Sequence, residues 1–195
     1  MLTLCIDTAY KYLTCAIIKD DKIIASSSYE CFKHQSEEVF VVLEKIFKEA
    51  NINKLDIDSI CISKGPGSYT GVRIGMSVAK VLAEIMKVDL YTISTLRLYA
   101  SNNENTMVLM DARASRAYVG IYDKDKIIKE DSVKLLSDID INGYNLVGDL
   151  SLFNKEDNYL DISKAFLKTK DYWDKVESIA YLTPNYLKEN EEYFK

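Results

Sequence analysis

The chain reads as an α/β protein with a mixed sheet, on three observations. Strand-like runs cluster ahead of the first helix, a strand, glycine loop, helix, strand unit occupies 57–93, and a second strand-rich stretch opens after 106. Leu2 Thr3 Leu4 Cys5 Ile6 Asp7 alternates and ends on the polar pair Asp7 Thr8; Tyr12–Ile18 and Lys22–Tyr29 follow, joined by the turn Asp20 Asp21, and the three make a meander. From 34 to 50 the period becomes helical, with Val39, Leu43, Ile46 and Ala50 on one face and a stop before Asn51 Ile52 Asn53. Phe40, Val41 and Phe47 fall outside that stripe, which gives the helix a second apolar face to bury.

Ile57–Ser63 is a short strand leading into the glycine loop, and Gly71–Lys87 is a long helix with Thr70 as its expected N-cap. Its charges, Arg73, Lys80, Glu84 and Lys87, make one narrow stripe, while Val72, Ile74, Met76, Val78, Val81, Leu82, Ile85 and Met86 wrap the rest. A helix this apolar is covered on nearly all sides, by the sheet and its neighbours or by a partner. Strand Asp89–Ile93 and a short helix Thr95–Ser101 come next. The polar linker Asn102 Asn103 Glu104 Asn105 marks the expected boundary between an N-terminal lobe, 1–102, and a smaller C-terminal lobe, 103–195, whose last segment is free to pack back on the first. Met107–Met110, Arg116–Tyr122 and Lys126–Val133 restart the strand pattern. The tail is weakly patterned: a strand at Asn145–Val147, helical pieces at Ser163–Lys168 and Asp171–Ile179, and the segment Pro184–Glu189.

With 195 residues, 48% of them hydrophobic and 28% charged, the chain can bury a sizeable core. No apolar run reaches the ~18 residues of a membrane span, and Met1–Ala9 carries Asp7 without a basic leader region, so the expectation is a cytoplasmic protein with no membrane partner. Cys5, Cys15, Cys31 and Cys61 form no CxxC pair and read as buried small hydrophobes of a reducing compartment. The net charge of −5, with scattered acids, excludes a long phosphate-tracking surface; RNA would have to be met through a partner's basic surface. The four arginines, Arg73, Arg97, Arg113 and Arg116, stand out in a chain that otherwise uses lysine, as a residue kept where a planar forked donor is wanted.

The loop from Gly65 to Gly75 holds four of the seven glycines. It is not a Walker A loop, because no GK[ST] follows, and not a GxGxxG, because Gly71 arrives one residue late. Two readings stand: a phosphate or carboxylate contact at the following helix N-terminus, weakened by Arg73 in the first turn, or a structural turn that seats the helix. Asp7 and Asp111 each end a strand and either coordinate magnesium near a nucleotide or cap turns. Arg113 and Arg116 either answer carboxylates on a partner or fringe the sheet. His34, the sole histidine, cannot build a metal site with Glu38 alone; HExxH is absent, and the serines lack a GxSxG context for a Ser, His, Asp set.

The string GPGSYTGVRIG resembles the GPGS[FY]TGVRIG hallmark of the TsaB (YeaZ) family, small noncatalytic paralogues of the catalytic subunit TsaD. Further matches run in order: Ile6 Asp7 Thr8, His34 and Glu37, Ser94 Thr95 Leu96, Asp111 Ala112 Arg113, Ala117–Tyr122, and Pro184 Tyr186 Leu187 Lys188. The resemblance implies an actin-like ATPase (ASKHA) fold of two lobes, each with a mixed sheet flanked by helices. It implies a non-enzymatic partner subunit of the complex that transfers threonylcarbamoyl to N6 of the adenosine next to the anticodon of tRNAs reading codons that begin with A. Its partners would be a TsaD-type catalytic subunit and a TsaE-type ATPase in the larger complex, with tRNA met indirectly and a homodimer formed when alone. The metal-binding HxxxH of TsaD falls here at Thr95 and Tyr99, so neither a metal site nor a catalytic residue is expected. Partner binding is expected from Val39, Val42, Arg73, Met76, Val78, Ala79 and Leu82, with a charge at Val78 or Met76 abolishing pairing and sparing the fold. The rival is an independent small actin-like ATPase or kinase with Asp7, Gly67 and Asp111 around a magnesium nucleotide. ATP or ADP with magnesium at the interface with the TsaD-type subunit is the one cofactor left open.

Overall fold

The computed structural model describes residues 1–187. Strands β1 (Leu2–Asp7), β2 (Tyr12–Lys19) and β3 (Lys22–Glu30) form the antiparallel meander, and β1 also pairs in parallel with β4 (Ser59–Ser63), which pairs in parallel with β5 (Asp89–Ile93). The central strands β1 and β4 are buried on both faces, so their apolar runs are nearly continuous.

Helix α1 (Gln35–Ala50) ends at Asn51 in the left-handed conformation and lays Val39, Val42, Leu43, Ile46 and Phe47 against β2 and β3. Phe47 therefore belongs to the buried stripe, while Phe40 and Val41 face solvent. Helix α2 (Tyr69–Met86) starts two residues before the expected Gly71. Its N-cap is Ser68 rather than Thr70: the Ser68 Oγ accepts from Gly71 N at 3.2 Å. Lys87, left-handed, closes it.

Helix α3 (Thr95–Ala100) is buried throughout and wedges between the two sheets. Its Leu96, Leu98 and Tyr99 join a core that takes Cys5, Ala16 and Cys61 from the first sheet and Val108, Met110 and Tyr118 from the second. The second sheet runs β8-β7-β6-β9, from β6 (Thr106–Arg113), β7 (Arg116–Asp123), β8 (Lys126–Leu135) and β9 (Asn145–Gly148), with β9 parallel to β6 and the rest antiparallel. Helix α4 (Ile162–Lys168), capped by Asp161, packs on α3 and on the meander.

The expected helix at 171–179 is corrected. A 3-10 turn at Lys170–Tyr172 is followed by the two-residue strand β10 (Asp174–Lys175), antiparallel to β5, which makes the first sheet six-stranded in the order β10-β5-β4-β1-β2-β3. Trp173 packs on Tyr91 and Phe166, and Val176 N donates to Leu90 O at 2.9 Å, so tertiary contacts override the weak helical pattern. The chain then crosses back over α2. Lys80 Nζ donates to Ala180 O and Leu182 O, and Asn185 N donates to Lys64 O. Lys188 and Glu189 lie outside the described residues. All four cysteines are free and buried, and burial pushes the Cys5 and Cys61 thiols well up.

Candidate interlobe cleft and helical face

The glycine loop is packed against the β1–β2 turn. A Cβ at Gly67 would stand 2.2 Å from Ala9 O, one at Gly71 2.3 Å from Thr8 O, and one at Gly75 2.6 Å from Thr8 Oγ1. Thr8 Oγ1 donates to Gly71 O at 2.7 Å and accepts from Gly75 N at 2.9 Å, while Ser68 N donates to Ala9 O at 2.7 Å. The amides of Ser68, Gly71 and Gly75 are thus engaged within the protein. The geometry favours the structural reading of this loop: it lets α2 approach the turn at backbone distance.

Beside the loop a cleft of about 410 Å³ opens between the sheets, walled by Tyr10, Lys11, Gly67, Tyr69, Asp111 and Asp149 among others. Gly67 and Asp111 line it; Asp7 does not. It is fully buried, accepting from Ala9 N at 3.0 Å, Ser63 Oγ at 2.5 Å and Tyr99 OH at 3.0 Å. Burial, outweighing these hydrogen bonds, holds its pKa above the ordinary carboxylate value. Asp111 accepts from Arg113 N at 2.7 Å and pairs with Arg113 Nη1 at 3.0 Å.

The interior of the cleft is held by Asp149 instead. Its carboxylate accepts from the Tyr10 and Tyr159 hydroxyls, from Asp111 N at 2.6 Å, and from Lys11 Nζ at 2.5 Å. Burial and the Asp149 charge raise the Tyr10 phenol, so it stays a donor. Among the described residues no three His, Cys, Asp or Glu side chains stand close enough to hold a metal ion. A magnesium nucleotide coordinated through Asp7 does not fit these residues. Sequence reasoning missed Tyr10, Lys11, Asp149 and Tyr159; the one local signal was Gly148, whose φ of +110° and close approach to Leu109 O turn the chain before Asp149.

The second feature is the face shared by α1 and α2. Phe40, Val41, Val81 and Ile85 are between 57% and 69% exposed. A groove of about 360 Å³ runs between the helices, with Phe40, Tyr69, Arg73, Ile74 and Ser77 on its walls and the edges of Val39 and Val78 at its base. Of the residues expected to meet a partner, Arg73 is exposed and Leu82 half-buried, but Val39, Val42, Met76, Val78 and Ala79 are buried in the first core. Met76, at 4% exposure, and Val78, at 8%, pack inward, so a charge at either would strike the fold as well as the face.

The family described as TsaD, tRNA N6-adenosine threonylcarbamoyltransferase, matches residues 27–142 of the chain. The tRNA threonylcarbamoyladenosine biosynthesis protein TsaB of Bacillus subtilis (strain 168) is 32% identical over 126 residues, 63% of this chain and 55% of that protein, so the chain spans little more than half of that relative. The TsaB protein of Buchnera aphidicola subsp. Schizaphis graminum is 27% identical over 182 residues, covering 90% of this chain and 81% of its own. The solved structure of YeaZ from Pseudomonas aeruginosa superposes with a TM-score of 0.81 at 18% identity, over 95% of this chain and 99% of that one, so the two share a fold. With the hallmark loop, the two mixed sheets and these matches in hand, the chain belongs to the TsaD family and, within it, to the TsaB (YeaZ) group.

Proposed function

We propose that the chain serves the formation of threonylcarbamoyladenosine in tRNA as a non-enzymatic subunit that pairs with a TsaD-type catalytic subunit through the α1/α2 face. The observation that carries the reading is the exposed apolar side chains of two adjacent helices, Phe40 and Val41 on α1 and Val81 and Ile85 on α2, with Phe40 on the wall of the groove between them. Exposed apolar surface of this kind on neighbouring helices is the mark of a helix-mediated interface. When the catalytic subunit is absent, the same face pairs two copies of the chain. The complex works in the cytoplasm, a TsaE-type ATPase joins it, and tRNA is met through the partner, in keeping with the net charge of −5. No described helix is long and apolar enough to cross a membrane.

The occupied state of Asp7 and the internal pairing of Lys11 with Asp149 weigh against the rival reading as a self-sufficient ATPase. The test is co-purification with a TsaD-type subunit, followed by a tRNA modification assay with and without the chain. Pairing and a dependence of modification on the chain are expected, with both lost in Ile85→Asp. Saturable ATP binding and turnover by the isolated chain, with no pairing, would replace this reading by its rival.

A further inference from the structure

One charged side chain stands among the residues lining the α1/α2 groove, and it is held in place. Arg73 lies over the Tyr69 ring, its guanidinium carbon 5.2 Å from the centroid, and its Nη1 donates to Tyr69 OH at 2.7 Å. Tyr186 stacks on Tyr69, with ring centroids 5.2 Å apart and planes inclined by 21°, and its side chain, after that of Tyr69, favours the charged form of the guanidinium. Tyr186 is delivered by the C-terminal segment that crosses α2, itself tied down through Asn185 N to Lys64 O and through Lys80 Nζ to two carbonyls. The hydrogen-bond partner of Arg73 is a tyrosine hydroxyl rather than a carboxylate, and no salt bridge to Arg73 is formed among the described residues.

A chain that covers the apolar groove must take this guanidinium out of water as well. Removing a cation from water without a counter-charge opposes association, whereas a carboxylate meeting a guanidinium fixed in one orientation gives a forked, directional contact at little entropic cost. We propose that Arg73 is the register-setting residue of the helical face, presented by Tyr69 and Tyr186 to a carboxylate on the partner's docking helix. The occupant is thus a helix pair that is apolar opposite Phe40, Ile74 and Ile85 and acidic opposite Arg73. The proposal rests on the pairing reading above and specifies its chemistry. Tyr186 enters as a positioning residue, acting through Arg73.

The test measures affinity for the TsaD-type subunit by titration at low and high salt, using the full chain. Arg73→Glu is expected to weaken pairing by roughly thirtyfold or more at low salt, and Arg73→Lys by several-fold, since an ammonium keeps the charge and loses the fork. Wild-type affinity should fall with salt, and that salt dependence should vanish in Arg73→Ala. A Glu→Lys or Asp→Lys scan of the partner's docking helices should find one site whose lysine restores pairing to Arg73→Glu. Tyr186→Phe, which keeps the stacking, should weaken wild-type pairing by about threefold and add nothing in the Arg73→Glu background; a purely structural role would weaken both. Wild-type-like, salt-independent pairing of Arg73→Glu beside loss of pairing in Ile85→Asp would overturn this inference and leave the interface standing. Unchanged pairing in both would overturn the interface itself.

Discussion

Asp7 shows how much a neighbourhood alters a residue. A carboxylate at the end of a first strand suggests a metal ligand, yet here it is a buried acceptor for Ser63, Tyr99 and Ala9 N. Because its pKa is raised in the fold, the folded state binds its proton more tightly than the unfolded chain does. The associated stability is complete below the ordinary carboxylate range and is lost as pH rises through the folded pKa. Asp7→Asn should remove that loss: the difference in urea-unfolding free energy between variant and wild type should shift in the variant's favour as pH is raised from about 4 toward neutrality, a range set by the reference carboxylate value. A pH-independent difference would contradict it. The identity of Asp7 was legible in the sequence, but its burial was not, because Tyr99 lies 92 residues away and nothing local announces it. Gly67, Gly71 and Gly75 were legible as a backbone approach; what they approach, the Thr8 and Ala9 carbonyls and the Thr8 hydroxyl, needed the fold.

At the scale of elements, α1 and α2 were read nearly to their ends, since apolar period and polar stops carry that information locally. Orientation was less accessible. Two apolar faces on one helix look alike in sequence, and only the position of the sheet decides that Val42 and Phe47 turn inward while Phe40 and Val41 turn out. The same ambiguity put Met76, Val78 and Ala79 on the partner side. It also supplies a prediction: Val78→Asp should cost about 3 kcal/mol or more in equilibrium unfolding, as burial of an unpaired charge does, whereas Val81→Asp, three residues along and exposed, should change stability by less than about 1 kcal/mol. Thermal melts of the two variants, run beside pairing assays, separate a folding defect from an interface defect. Equal destabilisation of both would mean that the face is not solvent-facing.

The whole molecule is held together by α3 and by the Asp149 cluster. Tyr10 and Lys11 come from the turn between β1 and β2, Asp111 from β6 and Asp149 from the end of β9, and one carboxylate gathers them. Asp149→Ala leaves the Tyr10 and Tyr159 hydroxyls and the Lys11 ammonium without their acceptor at a partly buried site. It should cost about 3 kcal/mol, as breaking one side of a buried charged cluster does. Loss of coincidence between fluorescence and circular-dichroism unfolding curves would accompany it as the two sheets uncouple. Two mixed sheets were legible because strand patterns recur on either side of 102–105; the joint between them was not, since its members are separated by more than a hundred residues.

Strand β10 carries one more implication, which concerns order in time. Among the described residues the β5 edge of the first sheet is closed by Asp174 and Lys175, which leave the ribosome roughly eighty residues after β5 itself. At synthesis rates of about 5–20 residues per second, a nearly complete sheet waits several seconds with an unpaired edge. A nascent chain arrested once β5 has cleared the ribosome, but before Asp174 and Lys175 have, should therefore be more prone to edge-to-edge association than one arrested after both have emerged, which makes β10 a seal applied late in synthesis.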